Sequence, residues 1–365
     1  KEIGLEDQFK WVETKTGFYA NGKLFSMSNL LEFLRFPPIN LFDKFRLGLT
    51  IFVASRLKNW KKLEKIKVET WLKRWSGKRV FTKIWLPLLK AKLGENYKNT
   101  SAAFIWATIQ RMYAARKSGL KKEMFGYVSG GYNKINEAFA SRLIEKGVEF
   151  RLNARVMNLT SSGNNLTIGL SNNSQYNFDR VISTLPSTIS VQIAPGLNEE
   201  EKKKHLNIRY LGVVCPSVLL SKAISPYYVT NIIDDSTPFT GIIEMTAMID
   251  KAETKGKHLV YLPKYVDPDN KWFDTTDSET GDFFVDSLLK MYPDLKNEDI
   301  LYVGVSKARQ VFALPTIDYS VNLPGIKTSI PYFYIINSAQ IINGTLNVNE
   351  TIQVAESKLK EIIND

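Results

Sequence analysis

A chain of 365 residues with 44% apolar and 24% charged side chains is long enough for two domains with a buried core, which excludes a disordered or fibrous chain. One cysteine, Cys215, rules out an internal disulfide, and with only His205 and His258 beside it no zinc or iron site is expected. The formal charge of +12, dense at Lys58–Lys62 and Lys121-Lys122, reads as a solvated basic surface, with an anionic membrane surface or an acidic ligand as the sharper alternatives; no nucleic-acid motif accompanies it, and no nucleic-acid partner is expected.

In chain order, Trp11–Thr14 and Gly17–Ala20 read as strands. Asn21-Gly22 supplies the two positive φ angles of a type I′ turn into Lys23–Phe25, so a hairpin is expected. From Asn29 to Lys117 the pattern is helical. Asn40 caps a helix to about Lys58, and Val68–Trp75 forms a short helix stopped at Gly77. Arg79–Lys92 forms another, bent by Pro87. Thr100 or Ser101 caps a helix from Ala102 to Lys117, closed by Gly119.

After Gly119 the texture becomes α/β. Gly130-Gly131-Tyr132 opens a helix, Asn133–Lys146, stopped by Gly147, and Val148–Arg151 is expected as a strand. Arg155–Leu159 leads into a hairpin through Asn164-Asn165, and Asp179–Thr184 reads as a buried strand ending at Leu185-Pro186. Val213–Leu220, Gly241–Met248, His258–Leu262 and Leu301–Val305 read as strands, and Phe283–Met291 as a helix. An apolar β run at Phe333–Ile336 precedes a Gly/Asn loop and an amphipathic helix from Asn349 to Ile363. No apolar run, Leu47–Ala54 included, reaches the roughly 20 residues that span a bilayer.

Three separated stretches carry a resemblance. The first is Gly126–Tyr132 with its helix and Val148–Arg151, followed by Arg155-Val156; the second is Phe178–Pro186; the third is Tyr334–Ile341 with Gly344–Asn349, approached by Ala313-Leu314-Pro315. In order and spacing they resemble the flavin amine oxidase, protoporphyrinogen oxidase and phytoene desaturase superfamily. The resemblance implies an α/β, two-domain FAD-dependent oxidoreductase fold, with an incomplete Rossmann-like FAD domain and an α+β substrate domain of mixed sheet plus helices. It divides the chain into a hairpin and helical part of the substrate domain (1–120), a first FAD part (121–190), an antiparallel substrate sheet (191–305) and a C-terminal FAD part (306–365).

The resemblance implies FAD as cofactor, with Val156, Thr184, Pro186, Asn337, Ser338, Asn347 and Val348 as its contacts. The family's G-x-G-x-x-G fingerprint does not occur in this sequence. Lys1 in place of Met reads as a processed or truncated start, so this chain alone is expected to bind FAD weakly and to be inactive. Asn337-Ser338 stands where the family has Gly-Asp, and Cys215 or Pro216 stands near the position of the amine-oxidase lysine, which argues against a typical amine oxidase.

The implied reaction is hydride transfer to flavin from an apolar or polycyclic small molecule. A UDP-sugar mutase-like flavoenzyme and a flavin-free, non-catalytic fragment are the alternatives. Lys264 and Arg309 are the candidate substrate contacts, as polar groups inside apolar strands, and no catalytic residue is singled out. The helix at residues 40–58 mixes Leu41, Phe42, Phe45, Leu49, Phe52 and Val53 with Lys44, Arg46 and Arg56. Packing on the substrate domain is the first expectation for it and peripheral membrane contact the second. A cytoplasmic setting is expected, with membrane association as its alternative, and the oligomeric state is left open.

Overall fold

The structure is a computed structural model that describes residues 2–27, 30–114, 124–163, 165–234 and 237–364. Expectations at Asn29, Lys117, Gly119, Lys121-Lys122 and Asn164 lie outside the described residues.

The first strands are β1 (Phe9–Glu13), β2 (Thr16–Ala20) and β3 (Lys23–Ser26). Asn21 and Gly22 take φ 52° and 71° between β2 and β3, and the hairpin closes in register from Ala20↔Lys23 to Gly17↔Ser26. A helical layer follows: α1 (Leu30–Arg35), α2 (Leu41–Arg56), α3 (Trp60–Glu64), α4 (Val68–Ser76), α5 (Lys78–Val80), α6 (Leu86–Leu93) and α7 (Ala102–Ala114). Asn40 Oδ1 accepts from the Asp43 amide at 2.8 Å, as its capping position requires. Gly77 ends α4 at φ 85°. A π-helical turn, Phe81–Trp85, joins α5 to α6 just ahead of Pro87. Proline has no amide hydrogen for the α-helical ladder, so the widened turn falls beside it. The expected hydroxyl cap of α7 is not made. Thr100 Oγ1 donates to the Asn96 carbonyl, and Ser101 Oγ has no partner among the described residues.

The α/β part holds β4 (Met124–Val128), α8 (Gly131–Glu145), β5 (Val156–Ser162), β6 (Asn165–Leu170), β7 (Gln175–Phe178) and β8 (Val181–Ser183). β4 pairs antiparallel with β1, and β5–β6–β7 form a meander. Val148–Arg151 belongs to no strand, contrary to expectation. Its apolar pattern suits a strand, yet no neighbouring described strand offers it a ladder. β8 is less buried than expected, with Ile182 41% exposed.

Helices α9 (Ser187–Ile193) and α10 (Glu199–Leu206) lead to β9 (Tyr210–Leu220), β10 (Val229–Ile232), β11 (Gly241–Glu244), β12 (His258–Tyr261), β13 (Lys264–Val266), α11 (Asp277–Met291) and β14 (Ile300–Ala313). α11 starts earlier than expected because Thr276 and Glu279 form a capping box. β11 ends at Glu244, where a 3-10 turn takes over Met245–Ala247. The large sheet runs β13–β9–β12–β11–β10–β2–β3, with β14 on the far edge of β9. Pro263 cannot donate to the ladder. β12 and β13 therefore share one edge of β9 as two separate strands. Gly212 lies against the Ala308 and Arg309 carbonyls, so close that a Cβ there would come within 2.6 Å and 2.8 Å of them.

The chain ends in α12 (Tyr319–Asn322), β15 (Phe333–Ile335) and α13 (Val348–Ile363), and β15 pairs in parallel with β8. One core fills the space between the helical layer and one face of the sheet, through Phe36, Leu72, Phe81, Leu89, Leu93, Leu211 and Phe312. A second joins the opposite face to α11 through Val214, Val218, Val260, Phe284 and Leu288. A third sits under β8 and β15 and takes in Leu159, Val191, Phe333 and Ile335. The mixed α/β and α+β architecture expected from the sequence is the one observed.

Candidate functional site

Two features define the site: the carboxyl ends of β8 and β15, and the sheet face that looks toward α6 and α7. Side by side and parallel, β8 and β15 end together, and the Ile336 amide donates to the Ser183 carbonyl at 2.9 Å. Ligands in open parallel sheets bind beyond such carboxyl ends. Thr184 follows β8 directly and is exposed, while Pro186 leads into α9. Asn337 follows β15 and reaches across: its Nδ2 donates to the Leu185 carbonyl at 2.8 Å and to Ser187 Oγ at 3.2 Å. Its Oδ1 accepts from the Ala339 amide at 2.9 Å. The segments around Thr184 and Asn337 therefore meet. Val156 opens β5, whose Leu159 belongs to the same core as Phe333 and Ile335.

The side chain of Asn337 is fully engaged in holding this turn, and the half-buried Ser338 beside it has no side-chain hydrogen bond among the described residues. A narrow cleft lies beside it, lined by Phe104, Phe312, Ala313, Pro315, Ser338, Ile341, Gly344 and Leu346. Next to it, Asn347 caps α13: Oδ1 accepts from the Glu350 amide at 3.0 Å, and Nδ2 donates to the Thr345 carbonyl at 2.6 Å. Asn347 too is spent on shaping the loop. What remains for a ligand are the first-turn amides of α13, at Val348 and Asn349, with the positive end of the helix dipole. A Cβ at Gly344 would lie 2.6 Å from a carboxylate oxygen of Glu350, the far end of a side chain that can move aside.

The facing wall comes from the sheet. Residues two apart share a face, and the register puts Ser217 opposite Tyr261, Val213 opposite Tyr265 and Cys215 opposite Ser306. Burial pushes the Cys215 thiol up to about 11, so it is a neutral, inert wall group. Burial, then the neighbouring Cys215, raises Tyr261 and Tyr265 as well. Over this wall lies Lys92 of α6, its Nζ 3.4 Å from the ring centre of Tyr265 and 5.4 Å from that of Phe312. Burial, with the Arg111 guanidinium second, lowers its amino group to about 7. Sequence reasoning passed over Lys92. The signal was its position between Leu89 and Leu93, on the buried side of an amphipathic turn.

Lys264 lines a cavity of about 330 Å³ between α6 and the sheet edge, together with Lys90, Leu93, Leu211, Tyr265 and Asp267. Its ammonium donates to the Pro238 carbonyl at 2.6 Å, and burial lowers its pKa. Arg309 stands apart. It donates to the Pro268 carbonyl and to Asp274 Oδ1, both at 2.7 Å, with its guanidinium over Phe273. The structure gives Arg309 the partners of a surface clasp.

The sequence profile of the family described as flavin containing amine oxidoreductase matches residues 1–312. No curated protein matches the chain. Among solved structures, a candidate protoporphyrinogen oxidase from Exiguobacterium sp. 255-15 superposes with a TM-score of 0.73 at 12% identity, covering 99% of this chain and 82% of that one. An oxidoreductase from Methanosarcina mazei gives 0.72 at 15% identity over 98% and 84%. A putrescine oxidase variant gives 0.69 at 15% identity over 99% and 84%. At these identities the likeness is one of fold.

Proposed function

Since the chain belongs to the flavin containing amine oxidoreductase family, we propose that it works as an FAD-dependent oxidase or desaturase on an apolar or polycyclic small molecule. The observation that supports this reading most is the cleft between Ser338–Leu346 and the Phe104/Phe312 pair, opening beside the carboxyl ends of β8 and β15. The cleft itself measures about 20 Å³, room for roughly one water, so its rim, and not its volume, is what a flavin would meet. Phe104 and Phe312, 6.0 Å apart between ring centres, supply apolar flanks. The buried Gln340 Nε2 has no partner among the described residues.

Flavin, when bound, supplies the hydride acceptor. Around it, Thr184 and Ser338 are the side chains placed to bind polar groups of the cofactor, with Val156 and Pro186 as apolar or backbone contacts. Asn337 and Asn347 hold the two turns in shape. The Val348 and Asn349 amides meet negative charge with unpaired N–H groups and a helix dipole. The tyrosine-lined sheet face and the two phenylalanines keep water from the reacting atoms. With Cys215 in the wall and uncharged, the site offers no base of the amine-oxidase kind at that position.

A UDP-galactopyranose mutase also shares the fold, with a TM-score of 0.64 at 14% identity. A mutase reading needs cations free for a diphosphate, and the proposed candidate, Arg309, is already bound to Asp274. The test is direct. With FAD in excess, the flavin band in the presence of the purified protein should shift from that of free FAD, and anaerobic bleaching should follow a porphyrinogen or carotenoid rather than an amine or a UDP-sugar. A flavin spectrum identical to that of free FAD at every FAD concentration would refute the reading.

The second part of the proposal concerns α2. Its buried residues are Asp43, Lys44, Leu47, Thr50 and Ala54, so it packs on the protein through its less apolar side. Leu41, Phe42, Phe45, Leu49 and Phe52 form an exposed stripe instead, each between 39% and 71% accessible. α2 thus packs on the protein and turns its aromatic side outward. The exposed cations Arg56, Lys58, Lys61, Lys62 and Lys65 follow it. No helix among the described residues is long and apolar enough to cross a membrane. A stripe of this kind with cations alongside suits the plane of an anionic membrane, from which an apolar substrate can be drawn.

A further inference from the structure

Glu64, the last residue of α3, carries its carboxyl group inside the molecule. It is 3% exposed and makes no ion pair among the described residues. Burying an acid costs free energy unless hydrogen bonds replace its water. Both of its oxygens are met by one residue, 256 positions further along the chain: the Ser320 amide donates at 2.7 Å and the Ser320 hydroxyl at 2.6 Å. The Glu64 carbonyl also accepts from the Asp318 amide at 3.3 Å. What the acid adds over an apolar residue of its size is this hold on Ser320.

The segment it holds reaches the candidate site. Tyr319, between Asp318 and Ser320, is 6% exposed, and its hydroxyl donates to the Ala339 carbonyl at 2.9 Å. Burial, then Tyr210 and Glu64, hold its pKa above the usual phenol value, so it stays a neutral donor. Ala339 is fully buried, and its amide is held from the other side by Asn337 Oδ1. Ser338, which lines the cleft, therefore sits on a turn pinned at both of its neighbours. The opposite wall is fixed to the same place. Just past Glu64, the Ile66 carbonyl accepts from the Ala102 amide at 2.7 Å and the Val68 amide donates to the Thr100 carbonyl at 2.9 Å, at the start of α7, which carries Phe104. The Ser101 amide donates to the Pro315 carbonyl at 2.9 Å. Phe104 and Pro315 on one side of the cleft, and Ser338 on the other, are thus all tied to residues 64–68.

We infer that Glu64 is a positioning residue for the cofactor: through Ser320 and Tyr319 it fixes the Ala339 carbonyl, and so sets where Ser338 stands relative to Phe104. Glu64 does not line the cleft and acts only through the turn. The inference rests on the proposed oxidoreductase site. It deepens that reading by tying the affinity for FAD to a residue of the helical layer.

Backbone hydrogen exchange in the full chain without FAD, read by mass spectrometry, follows this link directly. Tyr319→Phe removes only the hydroxyl and should speed exchange across residues 336–341 about tenfold, the effect of one lost hydrogen bond, with the hairpin at 16–26 unchanged. Glu64→Leu should speed both 318–323 and 336–341. Glu64→Gln, whose amide group can still meet the Ser320 amide and hydroxyl, should restore the unaltered pattern. If Glu64→Leu does not fold, Ser320→Ala carries the same expectation. An effect confined to 318–323, or one spread evenly over the hairpin as well, would overturn the inference. The first result means that the link stops at Ser320, and the second that Glu64 supports the fold in general. FAD titrations followed by the shift of the flavin band separate the positioning role from the reading beneath it. Tyr319→Phe and Glu64→Leu should each raise the half-saturating FAD concentration about tenfold, the double variant no further than either, and Glu64→Gln not at all. No band shift with the unaltered protein, beside the expected exchange pattern, sinks only the oxidoreductase reading. A band shift whose midpoint none of the variants moves sinks only the positioning role.

Discussion

Asn337 gives the sharpest test of how the candidate site is built. Its amide makes three hydrogen bonds, to the Leu185 carbonyl, Ser187 Oγ and the Ala339 amide. Each such bond contributes about 1 kcal/mol net, and the partly exposed position argues for the lower half of the range. Asn337→Ala should therefore destabilise the fold by about 2 kcal/mol in urea titrations analysed by linear extrapolation. Asn337→Asp keeps the acceptor for Ala339 but loses both donors and aims a carboxylate at the Leu185 carbonyl, so a loss of similar size is expected. Ser187 is fully buried, and pairing Ser187→Ala with Asn337→Ala in a double-mutant cycle should show coupling of roughly 0.5 kcal/mol or more. A loss below about 0.5 kcal/mol for Asn337→Ala, the usual size for an unengaged surface side chain, would refute the reasoning. Asn337 would then be free to contact the cofactor directly.

Two further outcomes are expected. Burial raises the carboxyl of Glu244 from 4.5 to about 7, with His258 Nδ1 3.7 Å away. The folded state thus holds this proton more tightly than the unfolded one, so the contribution to stability is full below about pH 4.5 and is lost as pH rises through 7. Glu244→Gln should match the unaltered protein at pH 4.5 and exceed it at pH 8, by up to roughly 3 kcal/mol; denaturant midpoints at the two pH values would show it, and an equal gap at both would contradict it. For α2, replacing Phe42, Phe45 and Phe52 by Ser should cut co-sedimentation with anionic vesicles at least about tenfold and leave the fold intact, whereas unchanged sedimentation would mean that the stripe does not meet lipid.

Local chemistry was legible in the sequence where one or two residues decide it. Asn21-Gly22 dictated its turn because few residues accept φ angles of 52° and 71°, and Asn40 announced the start of α2 through its side-chain acceptor. Pairing over long distances was not legible. β10 lies parallel to β2, more than two hundred residues earlier in the chain, and nothing local distinguishes Val229–Ile232 from a loop. Val148–Arg151 carries a strand pattern and makes no ladder, because a pattern states which side chains would face a core and not whether a neighbour is present. The same limit explains α2. Its aromatic residues were visible, but which side of the helix meets the protein depends on Leu47, Thr50 and Ala54 fitting the layer beneath. At the site, the three cofactor stretches were located by order and spacing, while Lys92 emerged only once α6 lay over Tyr265.

The break at Pro263 has a consequence for how the molecule assembles. With β12 and β13 along one side and β14 along the other, β9 is contacted by two strands that follow each other directly and by a third that comes after α11. The β2–β3 hairpin and the β5–β6–β7 meander can zip from their own turns. β9, by contrast, must wait for the ends of long loops to find it, and the entropy of closing those loops is spent before any ladder forms. The tyrosine wall is therefore completed later than the local hairpins, once strands distant in the chain have met.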